Sequence, residues 1–302
     1  MSLTAFDLIA LITKWLVYLS FAAVVGGTFM FALLRNTPKE VAGIRHYICG
    51  GAAVGVLAVL VNYLVQVGSF SESGFIGMFD YQMHTFLWAS SVGDSVLWRF
   101  VGFGLAVLAS ICMLHSNVNI RRVAQGLLLS SAVLLAIAFT QIGHSAELSK
   151  YARVMVFLHV LAIGCWFGSF YPLWRLCNST NVALIKRTMD SFGLLGIVLV
   201  SVVVFSGANL LWQLFNNFSE FFSSSYGLAI LVKLTFVMVI MLFAALHKFI
   251  LVPKLATDNS LHAQQLLQKS IAIEAVVGLF ILATTAVLSS VLGPVSLGSG
   301  MY

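Results

Sequence analysis

Apolar residues run along this chain in long unbroken stretches separated by short polar breaks, with no residue-by-residue alternation. The stretches lie near 8–34, 46–68, 95–115, 125–143, 153–174, 191–215, 227–251 and 271–293. A helix crosses a hydrocarbon core of roughly 30 Å in about 20 residues, and each stretch is close to that length. A transmembrane β-barrel would show alternating segments of about ten residues, which continuous runs exclude. In lipid the backbone must satisfy its own polar groups within the segment, so the pattern predicts eight spanning helices. The expected fold class is all-α: a polytopic integral membrane helical bundle forming one membrane domain over 1–302.

Composition strengthens this picture. Hydrophobic residues make up 60% of the chain and charged residues 9%, whereas soluble globular chains carry roughly 25% charged residues. The net charge of +6 is a matter of topology, because positive residues near helix ends are retained in the cytoplasm. Arg35, Lys39, Arg45, Arg121, Arg122, Arg175, Lys186, Arg187, Lys248, Lys254 and Lys269 fall at alternate connections, against only Lys150 and Arg153 on the other side. Both termini, the long connection 69–94 and the breaks at 144–152 and 216–226 are therefore expected to be periplasmic, in a bacterial inner membrane. The charge implies membrane lipids as surroundings and no nucleic-acid partner. The first span follows Asp7, lacks a basic leader and is too long for a signal peptide, so it is expected to persist in the mature protein. Cys49, Cys112, Cys165 and Cys177 sit in the membrane or toward the cytoplasm, where no disulfide is expected.

The halves 1–143, which includes the outer loop 69–94, and 144–302 resemble each other. Asn62 and Gln66 in the second span match Asn209 and Gln213 in the sixth. Gly93 and Arg99 in the third match Gly227 and Lys233 in the seventh, and these spans end in His115 and His247. Gly27, Thr28 and Phe29 align with Gly168, Ser169 and Phe170, which sets Tyr18 opposite His159. This predicts a parallel 4+4 repeat, a plan in which substrate sites lie between the halves. Within 69–94, Phe75, Phe79, Gln82 or Met83, and Phe86 recur at helical spacing and predict a short amphipathic helix on the outer surface.

Ionisable residues inside a membrane are costly and so are functional candidates. Lys14, Arg99 and Lys233 in the outer half either snorkel to headgroups or pair with a carboxylate such as Asp94. Met155 and His159 are four apart and share a helix face. His159 lies six residues past Arg153, roughly 9 Å below the outer boundary. His144 ends the preceding span on the same side. Imidazole with thioether suits a soft ion, Cu(I) above Cu(II); the plainer reading is an interfacial His144 and a Met155 that merely packs. In the outer loop Met78, Asp80, Met83 and His84 could catch Cu(II) before reduction, or simply line a solvated or lipid-facing helix. His46 with Cys49, Cys112 with His115, and His247 near Glu274 lie toward the cytoplasm, as a release site or as wet helix ends. Asn62, Gln66, Asn209 and Gln213, with Glu274 and His247, are candidates to line a polar path. Trp88, Trp98, Trp166 and Trp174 fall near span ends, as an aromatic belt requires. The chain shows no phosphate-binding loop, hydrolase triad or HExxH motif, and is expected not to be an enzyme.

The second half resembles the copper resistance D (CopD) family of bacterial inner-membrane proteins. The resemblance rests on Gly143-His144, Leu158-His159 with Trp166-Phe167-Gly168, Ser206-Gly207-Ala208-Asn209, and Tyr226-Gly227 with Lys233. Leu246-His247-Lys248, Pro253-Lys254-Leu255 and Glu274 continue it, so that it covers roughly 143–294, while the first half matches mainly in topology. The chain departs from the family at Ser206, where Thr is common, at His247-Lys248, where Asn-Arg is common, and at Ser169, where Gly is common. The resemblance implies copper movement from periplasm to cytoplasm, with His144 and His159 at the positions of the family's histidines; Met155 is added on geometry alone. It also implies a separate periplasmic copper chaperone of the CopC type as partner. Two rival readings stand beside it: an oxidoreductase with haem b held between histidines, and a copper-binding sensor or assembly factor that transports nothing.

Overall fold

A backbone in lipid has no partner but itself, and each long apolar stretch is indeed helical. A computed structural model of the chain describes residues 5–71, 73–115, 117–142, 149–214, 222–257 and 261–290. Among these residues there is no strand, and eight helical segments are long and apolar enough to cross a membrane. The elements are α1 (Ala5–Leu34), α2 (Pro38–Ser71), a 3-10 turn (Gly74–Phe79), α3 (Tyr81–Trp88), α4 (Ser91–Cys112) and α5 (Val118–Thr140). They continue with α6 (Lys150–Phe167), α7 (Phe170–Leu176), α8 (Val182–Leu214), α9 (Ser225–Leu246), a π turn (His247–Leu251), α10 (Val252–Thr257) and α11 (Leu261–Ser290). The fifth span is α6 with α7, and the seventh is α9, the π turn and α10 up to Leu255.

Polar residues mark the starts. Pro38 opens α2, where its missing N–H costs nothing. The side chains of Ser90, Asn117, Ser149 and Ser224 cap α4, α5, α6 and α9 by accepting from the first-turn N–H groups. The outer connection forms two short helices where the hydrophobic spacing predicts one. Its chain breaks at Asp80, whose carboxylate accepts the Met83 N–H at 2.9 Å and starts α3 afresh. Gly74, at φ +65°, makes the left-handed turn that begins this connection. The Phe75 ring then folds back onto Phe6 of α1, with centroids 5.1 Å apart.

Helices in lipid gain little from apolar burial and associate instead by close packing of small residues and by hydrogen bonds. α1 is central, packing on α2, α5, α6 and α11. At its crossing with α6, Gly26 meets the backbone of Gly168, and a Cβ on Gly164 would stand 2.8 Å from the Phe21 ring. Tyr47 of α2 donates to the Gly168 carbonyl at 3.1 Å. The first four spans close on one another. Gly55 of α2 seats the Phe103 ring of α4, Ser131 of α5 donates to the Gly102 carbonyl at 2.7 Å, and Ser95 donates to Ala138 at 3.1 Å. The last four spans do not close in this way. α8 packs on α6 and α9 packs on α11, and α8 and α9 touch at most marginally. Only 11% of the central stretch of the sixth and of the seventh span is buried, against 44–50% in the first four.

Lys14 and Arg99 of the first half have partners elsewhere in the bundle, and Asp94 is exposed. Lys14 donates to the Ser289 carbonyl of α11 at 2.8 Å. Arg99, 8% exposed, sets its guanidinium 5.4 Å from the centre of the Phe139 ring. Asp94 and Arg99 are five residues apart on α4, about 140° around the helix, too far to pair across one face.

Candidate functional site

The His159 ring of α6 is half-buried against α8. Its Nδ1 lies 3.1 Å from the Val203 carbonyl and 3.0 Å from Ser206 Oγ. A carbonyl can only accept, so Nδ1 carries the hydrogen and Nε2 keeps a free lone pair. Ser206 Oγ in turn donates to the Val202 carbonyl, which leaves its own lone pairs to face Nδ1–H. This is the arrangement by which metal-binding histidines have tautomer and ring angle set by a second hydrogen bond. Gly207 keeps the place open, since a Cβ there would stand 3.2 Å from His159 Cε1. Met155, one turn earlier on α6, is buried. His144 lies outside the described residues.

The outer loop is held together by its own polar groups. His84 Nε2 donates to the Met78 carbonyl at 2.9 Å, and its Nδ1 then accepts from the Tyr63 hydroxyl at 3.2 Å. Met83 packs partly buried against the core. Both ring nitrogens of His84 are thus occupied within the protein. The amides are engaged likewise. Asn62 donates to Thr13 Oγ1 at 2.9 Å and to the Ala10 carbonyl at 3.2 Å, and accepts from Gln66 at 2.7 Å. Asn209 accepts from the Tyr151 hydroxyl at 3.0 Å, and Gln213 from Ser149 at 3.4 Å. These four residues lock α1 to α2 and α6 to α8.

At the other end of the bundle, His247 Nδ1 lies 3.2 Å from Glu274 Oε2 and His247 Nε2 lies 2.7 Å from Ser270 Oγ. Glu274 is 2% exposed. Residue type and the resemblance brought His247 and Glu274 to notice, but Ser270 carried no signal, because it joins only through its place one turn before Glu274 on α11. Glu274→Ala removes the partner of the half-buried imidazole and is expected to cost about 2 kcal/mol. Glu274→Gln, which keeps an acceptor, is expected to cost less than half as much; thermal unfolding in detergent measures both. His46 Nδ1 lies 2.8 Å from the Ala42 carbonyl of its own helix. Among the described residues, no three His, Cys, Asp or Glu side chains converge to hold a metal ion. A site of three or more ligands at His159 would therefore include donors of other kinds, such as thioether or main chain, or residues outside those described.

The family model described as Copper resistance protein D matches residues 186–288, and that described as Copper resistance protein D-like, N-terminal domain, matches 5–154. The first half therefore shares sequence with these proteins, and not topology alone. Copper transport protein CutJ of Bacillus subtilis (strain 168) is 24% identical over 294 residues, covering 92% of this chain and 52% of that protein. The chain thus spans about half the length of the curated relative it matches. No solved structure matches it. With two family models following one another along an eight-span bundle, this copper-related, multi-pass membrane protein belongs to the copper resistance D family.

Proposed function

We propose that the protein carries copper, as Cu(I), from periplasm to cytoplasm across a bacterial inner membrane, taking it from a periplasmic chaperone of the CopC type. The observation that carries this reading is the fixed tautomer of His159, whose Nδ1–H is held by Val203 and Ser206 while Nε2 is left with a lone pair. His144 and the Met155 thioether are its proposed companions, because imidazole and thioether match a soft cation. Capture at Met83 and His84 would first require the His84–Tyr63 bond to open. Beyond His159, copper would travel toward His247 and Glu274, with the amides of Asn62, Gln66, Asn209 and Gln213 fixing the helices on either side.

The orientation rests on the lysines and arginines, which crowd one set of connections. The two halves, 1–143 and 144–302, are read as a parallel repeat, and paired contacts support it. Asn62 bonds to Ala10 of α1, and Asn209 bonds to Tyr151 of α6, the residue that takes the place of Ala10 when Tyr18 is set opposite His159.

Copper accumulation in cells producing the protein tests the reading. Accumulation is expected to rise with the wild type and to fail with His144→Ala or His159→Ala. Equal accumulation by correctly inserted variants rejects the site, and a stoichiometric Soret band in purified protein would replace transport with haem chemistry. Gly207→Ala, which pushes on the His159 ring without removing it, is expected to weaken copper binding by about 10–100-fold, the range for altered support of a ligand.

A further inference from the structure

We propose that the second half works as a hinged gate, in which the outer ends of α8 and α9 part to expose His159 and meet again to cover it; this rests on the copper reading above. The first half supplies the closed form. There α2 packs along α4, with the Phe103 ring 2.6 Å from where a Cβ on Gly55 would stand. The repeat sets α8 and α9 in the places of α2 and α4, yet these two helices touch at most marginally. The second half is the same bundle with one seam undone.

The seam is undone at one end only. Beyond the π turn His247–Leu251, α10 packs on α8, with Val252 and Leu255 buried. Before that turn, α9 leaves α8 and packs on α11, where Phe236 stacks on Phe280 at 5.8 Å. A π turn carries one residue more than an α-helical turn; such turns occur often at functional sites and account for kinks. His247, the first residue of the turn, is pinned to α11 through Ser270 and Glu274. The pivot is therefore held by both α8 and α11, while the arm before it, α9, packs on α11 and not on α8. The cleft so formed runs beside α6, whose His159 ring bonds to Val203 on the α8 side of the seam.

Closure is expected to bring particular residues together. Setting Asn62 opposite Asn209 places Gly55 opposite Val202, and setting Arg99 opposite Lys233 places Phe103 opposite Val237. The contact made by Gly55 and Phe103 in the first half thus becomes one between Val202 and Val237. The native cysteines are replaced, the pair Val202→Cys and Val237→Cys is introduced, and the membranes are treated with a short bifunctional methanethiosulfonate reagent. The pair is expected to cross-link, and the cross-linked protein to lose copper accumulation that the untreated double variant retains. A pair at the exposed, outward-facing Val204 and Leu242 is expected not to cross-link. The gate is overturned if both cysteines at 202 and 237 take a monofunctional label and never cross-link. Spin labels on the exposed Val198 and Met238 read the same motion without altering the seam; two separations are expected, and a single fixed one overturns the gate. His159→Ala measured beside them reports on copper separately, so cross-linking in a protein that never accumulates copper would keep the hinge and reject the cargo.

Discussion

Cells producing the His159→Asn protein are expected to accumulate no more copper than cells without the protein, although the variant inserts and folds. Asparagine can present its amide N–H to the Val203 carbonyl in place of the ring Nδ1–H, which lies 3.1 Å from that oxygen. It cannot present a lone-pair nitrogen where Nε2 stands. The substitution thus keeps the α6–α8 bond and removes the ligand. His159→Ala removes both, and is expected to lower stability by about 1 kcal/mol, the usual worth of one hydrogen bond. If loss of copper followed loss of stability, the alanine variant would fail and the asparagine variant would work. If copper binds the ring, both fail alike, and metal analysis of purified protein shows copper in the wild type and in neither variant. An asparagine variant with wild-type copper content would show that His159 only ties two helices together.

The architecture was legible in the sequence because the membrane imposes one rule on every segment. Continuous apolar stretches of sufficient length must be helices, and all eight are. Breaks inside spans were not legible. The interruption at Gly168 and Ser169 and the π turn after Leu246 fall within runs of unchanged hydrophobicity, where composition carries no signal of backbone geometry. Partnership was the least legible of all. His159 is oriented by the carbonyl of Val203, a group every residue owns, so no spacing rule could have pointed to it. Arg99 faces the Phe139 ring, although the nearest carboxylate along the chain is Asp94. His247 and Glu274 were marked as candidates by residue type, and their 3.2 Å contact joins the first residue of the π turn to α11. The open seam between α8 and α9 had no signature, because a lipid-facing apolar helix and one about to meet a neighbour have the same composition.

Gly168→Val is expected to leave almost no folded protein, the largest stability effect of any single substitution in the bundle. A Cβ on Gly168 would fall on the Ala22 carbonyl of α1, and one on Gly26 would fall on the Gly168 backbone. Ala22 with Gly26, and Gly164 with Gly168, are each four apart, the small-residue spacing that lets two helix backbones touch in lipid. Overpacking that side chains can absorb costs about 1–3 kcal/mol. Here the obstacle is main chain, which has no rotamer to change, so α1 and α6 must separate along their length. Separation would also break the Tyr47 bond to the Gly168 carbonyl and shift the helix that carries His159. Gly104 and Gly193 provide the contrast, since a Cβ at either meets no atom within 4 Å. Alanine at those sites is expected to raise stability by up to about 1 kcal/mol through helix propensity alone. Yield of monodisperse protein in detergent and its thermal unfolding distinguish the two kinds of glycine. A Gly168→Val protein that melts with the wild type would mean that α1 and α6 do not touch, and the two halves would then need another seam to hold His159 in place.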